Sequence, residues 1–512
     1  MNAIGRRGLR ARAAGTAARA RKRGSRRTLS RPARAGRTLT CDVLVVGMGF
    51  AGLVTALRAL EQRAKVIAID KQPRGWWTPG GSMIISGGKI HLSGCSLAAS
   101  EAELTKAITS ATDNMIPPDL LDVTVRNAGR ALRWLIGKGA AFAEPPGQET
   151  RLHPRLPTTV WGKIRPGGSH DAANFGNKKL ALRLESLIKE KGGSILYDTK
   201  CTRLLTNDQG EVTGAAVRGE SRHFNIDAKA VVLCSGGYER NNEMLLKYVG
   251  PRADEILRYG GPGCTGDGFR LCAELGAYLR SMNHVGFSHY YSADAYWNED
   301  LLGAYLEDAG EQGIIVDRDG ERFFDESLGQ RLLGSFMTKT SIFKQGWIII
   351  DHLLYSNFPK VRVEVENLRE LGGTVHMADT LGELAARAGI GPRLSLTIGE
   401  FNDAVAKGRT PELRVPKANN ANPIFTPPLH AIPFVPGIVA TYGGFLVNPK
   451  AQVLDWDRKP IPGLYAAGLS MEGSLSGGTE NPEGAYCGCL SAGLIFGMLA
   501  AESIVASKAI SR

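Results

Sequence analysis

Three glycines and one carboxylate carry the clearest chemistry in the chain. Gly47-x-Gly49-x-x-Gly52 follows the apolar run VLVV, and Asp70 ends the run KVIAID, 18 residues after Gly52. The first glycine makes a tight turn, the second lets a pyrophosphate approach the backbone, and the third lets a helix pack closely on its strand. The helix that opens at Phe50-Ala51 presents unpaired N–H groups and its positive dipole end to the phosphates. An acid about 20 residues on is placed to accept hydrogen bonds from a ribose. With a strand before it, a helix after it and an acid closing the next strand, this spacing is a strong dinucleotide signature, where a lone GxGxxG is a weak one. The plainer reading of Asp70 is a turn residue at a strand end.

These residues need a parallel β-α-β unit to position them, and CDVLVVGMGFAGLVTALRALEQRAKVIAID reads as one from Cys41 onward. VLVV has no polar alternation, as expected for a strand covered on both faces. A second glycine-rich stretch, GWWTPGGSMIISGGKIHLSG (Gly75–Gly94), follows at once. It supplies Gly80, Gly81, Ser82, Gly87 and Gly88 directly after Asp70 and Lys71. A nicotinamide enzyme has no use for it, whereas a chain that wraps the whole length of FAD has, so FAD is the expected cofactor.

The chain has 512 residues, room for two or three domains. Its 43% hydrophobic and 22% charged content is ordinary for a soluble globular protein. The formal charge of +13 is a local matter: residues 1–40 hold 13 Lys/Arg and no acid, which leaves 50 basic and 50 acidic residues in the body. Such a segment suits a nucleic-acid or membrane-surface arm, a transit-like presequence, or an extension upstream of the true start. A disordered, dispensable extension is the reading its composition favours. No apolar stretch follows its Arg pairs, so a secretory signal is not expected. The eight cysteines are scattered with no metal-type CxxC pair, which points to buried free thiols in a reducing, cytoplasmic compartment and to no metal site. Cys487-x-Cys489 is a weak redox candidate. The most apolar stretch, Tyr486–Ala501, contains three glycines and reads as a buried helix, not a membrane span.

Several later segments are similar to those of one family. VVLCSGGYERNNEML (Val231–Leu245) resembles its "A-T-G-G-F, then Asn" strand-turn, and CTGDGFRLCAELGAYL (Cys264–Leu279) its T-G-D-G helix start. GIIVDRDGERFFDE (Gly313–Glu326) resembles its hairpin followed by G-x-R-F-x-(N/D)-E. ADTLGELAARAGI and TIGEFNDAVAKG look like a helical pair, and PIPGLYAAGLSMEG (Pro460–Gly473) resembles "I-P-G-L-Y-A-A-G". In order and spacing the chain resembles the FAD-dependent fumarate reductase/succinate dehydrogenase flavoproteins, and within them the soluble branch of fumarate reductases, tricarballylate dehydrogenases and 3-ketosteroid dehydrogenases.

That resemblance implies an α/β fold: a Rossmann-type FAD domain split in sequence (residues 41–285 and 426–512), with an inserted α+β cap at 286–425, after the basic tail of 1–40. It adds Ser235, Gly236, Gly237, Asp267, Gly468, Leu490 and Ser491 to the cofactor-binding set. The last helix, from about Cys489, would aim its N-terminus at the flavin pyrimidine edge. Two departures stand out. The family's glutamate after Y-A-A-G is Leu469 here, with Glu472 as a substitute, and no histidine precedes Gly80-Gly81 where some members attach flavin. His91 and His153 are out of register, so non-covalent FAD is expected.

The family moves a hydride between flavin N5 and a carbon beside an activating carbonyl. Fumarate reductases place a histidine before "T-x-G-G", but VATYGGFLV has Ala440 there, ahead of Thr441-Tyr442-Gly443-Gly444. Their arginine in the final glycine turn has no counterpart in Ser476–Gly488, and their proton-donating arginine falls near Tyr355. A buried, unpaired carboxylate is costly, so losing these cations argues against a dicarboxylate. Tyr355, Tyr442 and Tyr486 stand near the three positions instead, a pattern like that of ketosteroid dehydrogenases, with Gly488 as a backbone N–H donor to the ketone. A packed tyrosine is the plainer reading of each. His289 falls one residue from a substrate histidine of the reductases, and Glu326 with Arg331 stands near the relay pair, with a surface ion pair as the plain alternative.

The expected activity is FAD-dependent dehydrogenation of a ketosteroid-like apolar substrate at a carbon–carbon bond next to a carbonyl. The alternative is a fumarate reductase or tricarballylate dehydrogenase-type enzyme. A nucleic-acid-binding protein acting through the tail is a third, less favoured reading. With no haem-attachment CxxCH, electrons must pass to or from a separate carrier.

Overall fold

The computed structural model describes residues 38–85, 99–111, 114, 116–140, 176–220, 222–294, 306–328, 333–334, 336–337, 345–472 and 489–507. Among the described residues the chain is an α/β protein with two large sheets and two large hydrophobic cores.

The first sheet contains β1 (Leu39–Val46), β2 (Val66–Ile69), β3 (Ser194–Leu196), β4 (Lys200–Thr206), β5 (Val212–Arg218), β6 (His223–Leu233), β15 (Gln452–Leu454) and β16 (Pro460–Ala466), in the order β15-β16-β6-β1-β2-β3, with β5 also paired to β6 and β4 to β5. β1 is central and parallel to both β2 and β6, with Val46 opposite Ile69 and Leu233. Val43–Val45 are fully buried, which explains the unbroken apolar run. The helix α1 (Phe50–Glu61) follows β1 directly, and the C-terminal helix Cys489–Ala506 lies against it. At Gly497 a β-carbon would come 3.0 Å from the Ala51 carbonyl oxygen, so a small residue sets that close approach.

The second sheet contains β7 (Leu257–Arg258), β9 (Val285–Ser292), β10 (Ile314–Val316), β11 (Gly346–Ile350), β12 (His376–Ala378) and β13 (Leu429–Thr441), with β13 as the strand that all but β10 pair with. β8 (Leu279–Arg280) and β14 (Gly444–Phe445) form a separate antiparallel pair. The helices Leu381–Ala388 and Leu394–Ala406 are the helical pair read from the sequence, and Asp267–Leu271 is the short helix at T-G-D-G.

The first core gathers residues from Cys41–Val285 and Ile438–Ile504, the second from Tyr290–Phe434. β13 serves both. Its residues Leu429, Ala431, Ile432 and Phe434 belong to the second core, and Ile438 belongs to the first. Between them Tyr259 and Tyr291 pack with rings 5.1 Å apart, flanked by Trp77, Leu257, Val435 and Val439. Among the described residues no helix is long and apolar enough to cross a membrane, and no group of His, Cys, Asp and Glu has the arrangement to hold a metal ion.

Candidate functional site

The turn after β1 is built by its glycines. Gly47 has φ +104°, and a β-carbon on it would sit 2.4 Å from the Cys234 carbonyl oxygen at the end of β6. A β-carbon on Gly52 would be 1.9 Å from the Gly47 oxygen. Gly49, at the start of α1, differs: its φ is −66°, and the nearest atom to a β-carbon there is the Gly80 oxygen at 3.9 Å. A side chain at Gly47 or Gly52 would thus run into protein backbone, whereas one at Gly49 would meet no closer contact than 3.9 Å, an arrangement that suits a phosphate cradle.

Asp70 closes the same turn. Its Oδ2 accepts from the Met48 N–H at 2.7 Å and its Oδ1 from the Gln72 N–H at 2.8 Å. Burial raises its pKa, against the pull of those two amides. An ionised carboxylate has about four acceptor positions, so two amides leave capacity for ribose hydroxyls. Lys71 and Asp267 hold one another: the ammonium lies 2.6 Å from Asp267 Oδ2 and 2.5 Å from Thr265 Oγ1. Burial opposes ionisation of Asp267, but Lys71, Arg270 and Lys200 draw its pKa down to about 2. The pair therefore clamps the end of β2 to the T-G-D-G turn.

The second glycine cluster lies alongside the first. Gly80 bridges to Gly49, and its N–H donates to the Met48 oxygen at 2.9 Å. Gly81 donates to the Trp77 oxygen, and Ser82 Oγ accepts from the Gly261 N–H at 3.0 Å. Two features escape sequence reasoning here. Lys178 is buried and donates to the carbonyls of Gly75 and Pro79, and Glu185 receives Arg74, Lys189 and Tyr197. Both come from the helix Gly176–Glu190 and pin the loop that leads into Gly80. Their spacing from the glycines carries no signal, because only tertiary packing brings them there. Gly87 and Gly88 lie outside the described residues.

The remaining cofactor candidates converge from three strand ends. Ser235 Oγ, in the turn after β6, is 3.3 Å from Ser470 Oγ after β16. A β-carbon on Gly468 would be 2.9 Å from that of Ala51, and Gly493 in the terminal helix also faces Ala51. Leu490 and Ser491 are buried in the first turns of that helix, and Gly236 and Gly237 pack against Cys264 and Thr441. Glu472 is placed elsewhere than beside Gly468. It is buried, with Oε1 accepting from Ser281 Oγ at 2.9 Å and lying 3.6 Å from Arg280. Its Oε2 has no hydrogen-bond partner among the described residues, and burial raises its pKa.

β13 brings the segment Ala440-Thr441-Tyr442 alongside these loops. Ala440 pairs with Gly286 of β9. Thr441 Oγ1 accepts from the Tyr238 N–H at 2.9 Å and donates to Glu239 Oε2 at 3.4 Å. Tyr442 is buried, and its phenol oxygen would be 2.2 Å from a β-carbon at Gly286. Gly286 leaves out a side chain so that the phenol can lie on the strand. Tyr355 is in the helix His352–Asn357, its ring stacked on His430 and its hydroxyl donating to Glu366 at 3.0 Å. His289 is in β9, and nothing further is described of its side chain. Tyr486, Gly488 and Arg331 lie outside the described residues. Glu326 departs from a surface ion pair: it is fully buried, pairs with Arg322 at 2.5 Å and Lys417 at 3.6 Å, and accepts from the Ile315 N–H.

A β-α-β unit with a glycine cradle, a ribose-type acid and a second glycine loop defines a flavin nucleotide-binding protein, and the comparisons agree. The chain belongs to the FAD binding domain family, whose model matches residues 42–485. It is 28% identical over 481 residues to a probable fumarate reductase, Ifc3, of Shewanella frigidimarina, covering 92% of this chain and 75% of the relative. It is 26% identical to 3-oxosteroid 1-dehydrogenase of Mycolicibacterium smegmatis, covering 92% of this chain and 98% of the relative. The solved structure of a flavocytochrome c3 fumarate reductase in its open conformation superposes with a TM-score of 0.73 at 26% identity, over 93% of this chain and 79% of that one. The protein is an FAD-dependent oxidoreductase of this superfamily.

Proposed function

We propose that the protein removes hydrogen across a carbon–carbon bond next to a ketone, in an apolar, ketosteroid-like substrate. The observation that carries this reading is the end of β13: Ala440 stands where the reductases have a histidine, and buried Tyr442 follows two residues later. The match to 3-oxosteroid 1-dehydrogenase over 98% of that relative's length supports it.

The cofactor, held non-covalently by Gly47–Gly52, Asp70, Gly80–Ser82, Ser235–Gly237, Gly468, Leu490 and Ser491, supplies a hydride acceptor at N5. Tyr442 and Tyr486 take the proton roles: one removes the proton beside the ketone, and the other, with the Gly488 N–H, donates hydrogen bonds to the carbonyl oxygen. A phenol of pKa about 10 stabilises a developing enolate without placing a fixed charge in an apolar pocket. We assign Tyr355 to packing, because its hydroxyl is engaged with Glu366 in an exposed setting. Glu326 belongs to a buried structural cluster with Arg322 and Lys417.

The architecture that goes with this reading is a Rossmann-type FAD domain, residues 41–285 and 426–512, with residues 286–425 inserted as a cap. The two cores support it, with β13 as the strand through which the chain passes from cap to FAD domain. A cytoplasmic location and a separate electron carrier complete the proposal.

The fumarate reductase relative favours a second reading, a carboxylate substrate. Flavin difference spectra of the oxidised enzyme separate the two. A neutral cyclic enone is expected to perturb the flavin band saturably, and fumarate to leave it unchanged. Saturable perturbation by fumarate and none by the enone overturns the proposal.

A further inference from the structure

Glu239 has no part in the chemistry proposed above, yet it occupies a revealing place. It follows the Gly236-Gly237 turn and is fully buried. Room for it is made by missing side chains: β-carbons on Gly260 and Gly237 would approach its Oε1 and Oε2 at 2.3 and 2.7 Å. Oε2 accepts from Thr441 Oγ1 at the end of β13, and Oε1 has no hydrogen-bond partner among the described residues. The Cys264 thiol is its neighbour on the other side, and Cys264 Sγ is in turn 3.6 Å from Ser82 Oγ. One carboxyl group thus joins the second glycine loop, the Gly260–Cys264 loop and the Thr441–Gly444 segment.

A partnerless oxygen at full burial is tolerable on a neutral acid and costly on an anion. The titratable groups facing Glu239 are the Cys264 thiol, the Tyr238 phenol and the Arg240 guanidinium, whose Nε donates to the Gly260 oxygen at 2.7 Å. Burial pushes the Glu239 pKa up to about 7, against the lowering influence of its own backbone N–H, Cys264, Arg240 and Thr441.

We propose that Glu239, as a neutral carboxylic acid, is a positioning residue that locks together the three segments lining the flavin pocket. Ionisation at Glu239 loosens the chain Ser82–Cys264–Glu239–Thr441 and shifts the flavin environment. The inference rests on the flavin placement proposed above.

Two variants, compared with the wild type, test it, read by the visible spectrum of bound FAD between about pH 5 and pH 8 and by thermal unfolding of flavin-free protein over the same range. The wild type is expected to show a spectral transition with a midpoint near 7, the pKa of the buried acid. E239Q, neutral at every pH, is expected to bind FAD and hold the low-pH spectrum throughout. E239A is expected to lose FAD affinity by at least about tenfold, the equivalent of about 1.4 kcal/mol. If E239A does not fold, E239Q decides. Because the folded-state pKa lies above the ordinary 4.5, this group's contribution to stability is complete below about 4.5 and declines as pH rises to about 7. The wild-type melting temperature is therefore expected to carry a downward slope over that interval that E239Q lacks. A wild type with no spectral transition, or an E239Q variant that titrates or melts like the wild type, overturns the proposal. A protein that takes up no flavin overturns the placement on which it rests, and the proposal with it.

Discussion

Tyr442 and Tyr355 separate what a phenol can do from where it lies. The first is buried on a strand that has given up a side chain at Gly286 to admit it, and the second is tied to Glu366 in an exposed setting. Tyr442→Phe is therefore expected to lower kcat by about a hundredfold, the low end for a lost proton-transfer group, while Tyr355→Phe stays close to wild type. Steady-state kinetics with a 3-ketosteroid check both, and a Tyr355→Phe loss as large as that of Tyr442→Phe contradicts the assignment. At this scale Asp70 and the three glycines were legible because the chemistry fixes their spacing. Lys178, Glu185 and Glu239 were not, because a polar residue buried by tertiary partners looks in sequence like any exposed one.

At the scale of elements, the β1–α1 turn makes a prediction from two alanines. In Gly52→Ala the new β-carbon meets the Gly47 oxygen, so the turn must deform at a cost of at least ~2 kcal/mol. In Gly49→Ala it meets only the Gly80 oxygen, at an ordinary contact distance of 3.9 Å, so the melting temperature of flavin-free protein is expected to hold while FAD affinity falls by at least about tenfold. Thermal unfolding and flavin titration read the contrast, and equal destabilisation by both contradicts the cradle. The loop leading into Gly80 makes a second prediction. Glu185 is buried, which opposes its ionisation, but Arg74, Lys189 and Tyr197 bring its pKa down to about 2 from 4.5. A depressed folded pKa means the stabilisation is present above about 4.5 and is lost as pH falls toward 2. E185Q is expected to unfold at higher pH than the wild type in acid titration and to show a shallower slope over that interval. β13 shows why element boundaries were harder to read. An apolar run of strand type says nothing about which core each end joins, and this strand gives Leu429, Ala431, Ile432 and Phe434 to one core and Ile438 to the other.

At the scale of the whole molecule, the described residues form two large cores that share β13, and a basic segment carries 13 cations that account for the full net charge of +13. Deleting residues 1–37, which removes all 13, is expected to leave flavin content and turnover unchanged and to abolish any salt-dependent DNA binding. Loss of turnover on that deletion contradicts the view of the segment as separate from the catalytic body. The central claim of the proposal is that a flavin faces a pocket furnished with phenols in place of the cations of the fumarate reductases. Its most direct test is the anaerobic half-reaction. On mixing the oxidised holoenzyme with a 3-ketosteroid, the flavin band is expected to bleach as the steroid is desaturated, and enzyme reduced beforehand is expected to stay reduced in the presence of fumarate. Prompt reoxidation by fumarate, with no bleaching by the ketone, would contradict the account.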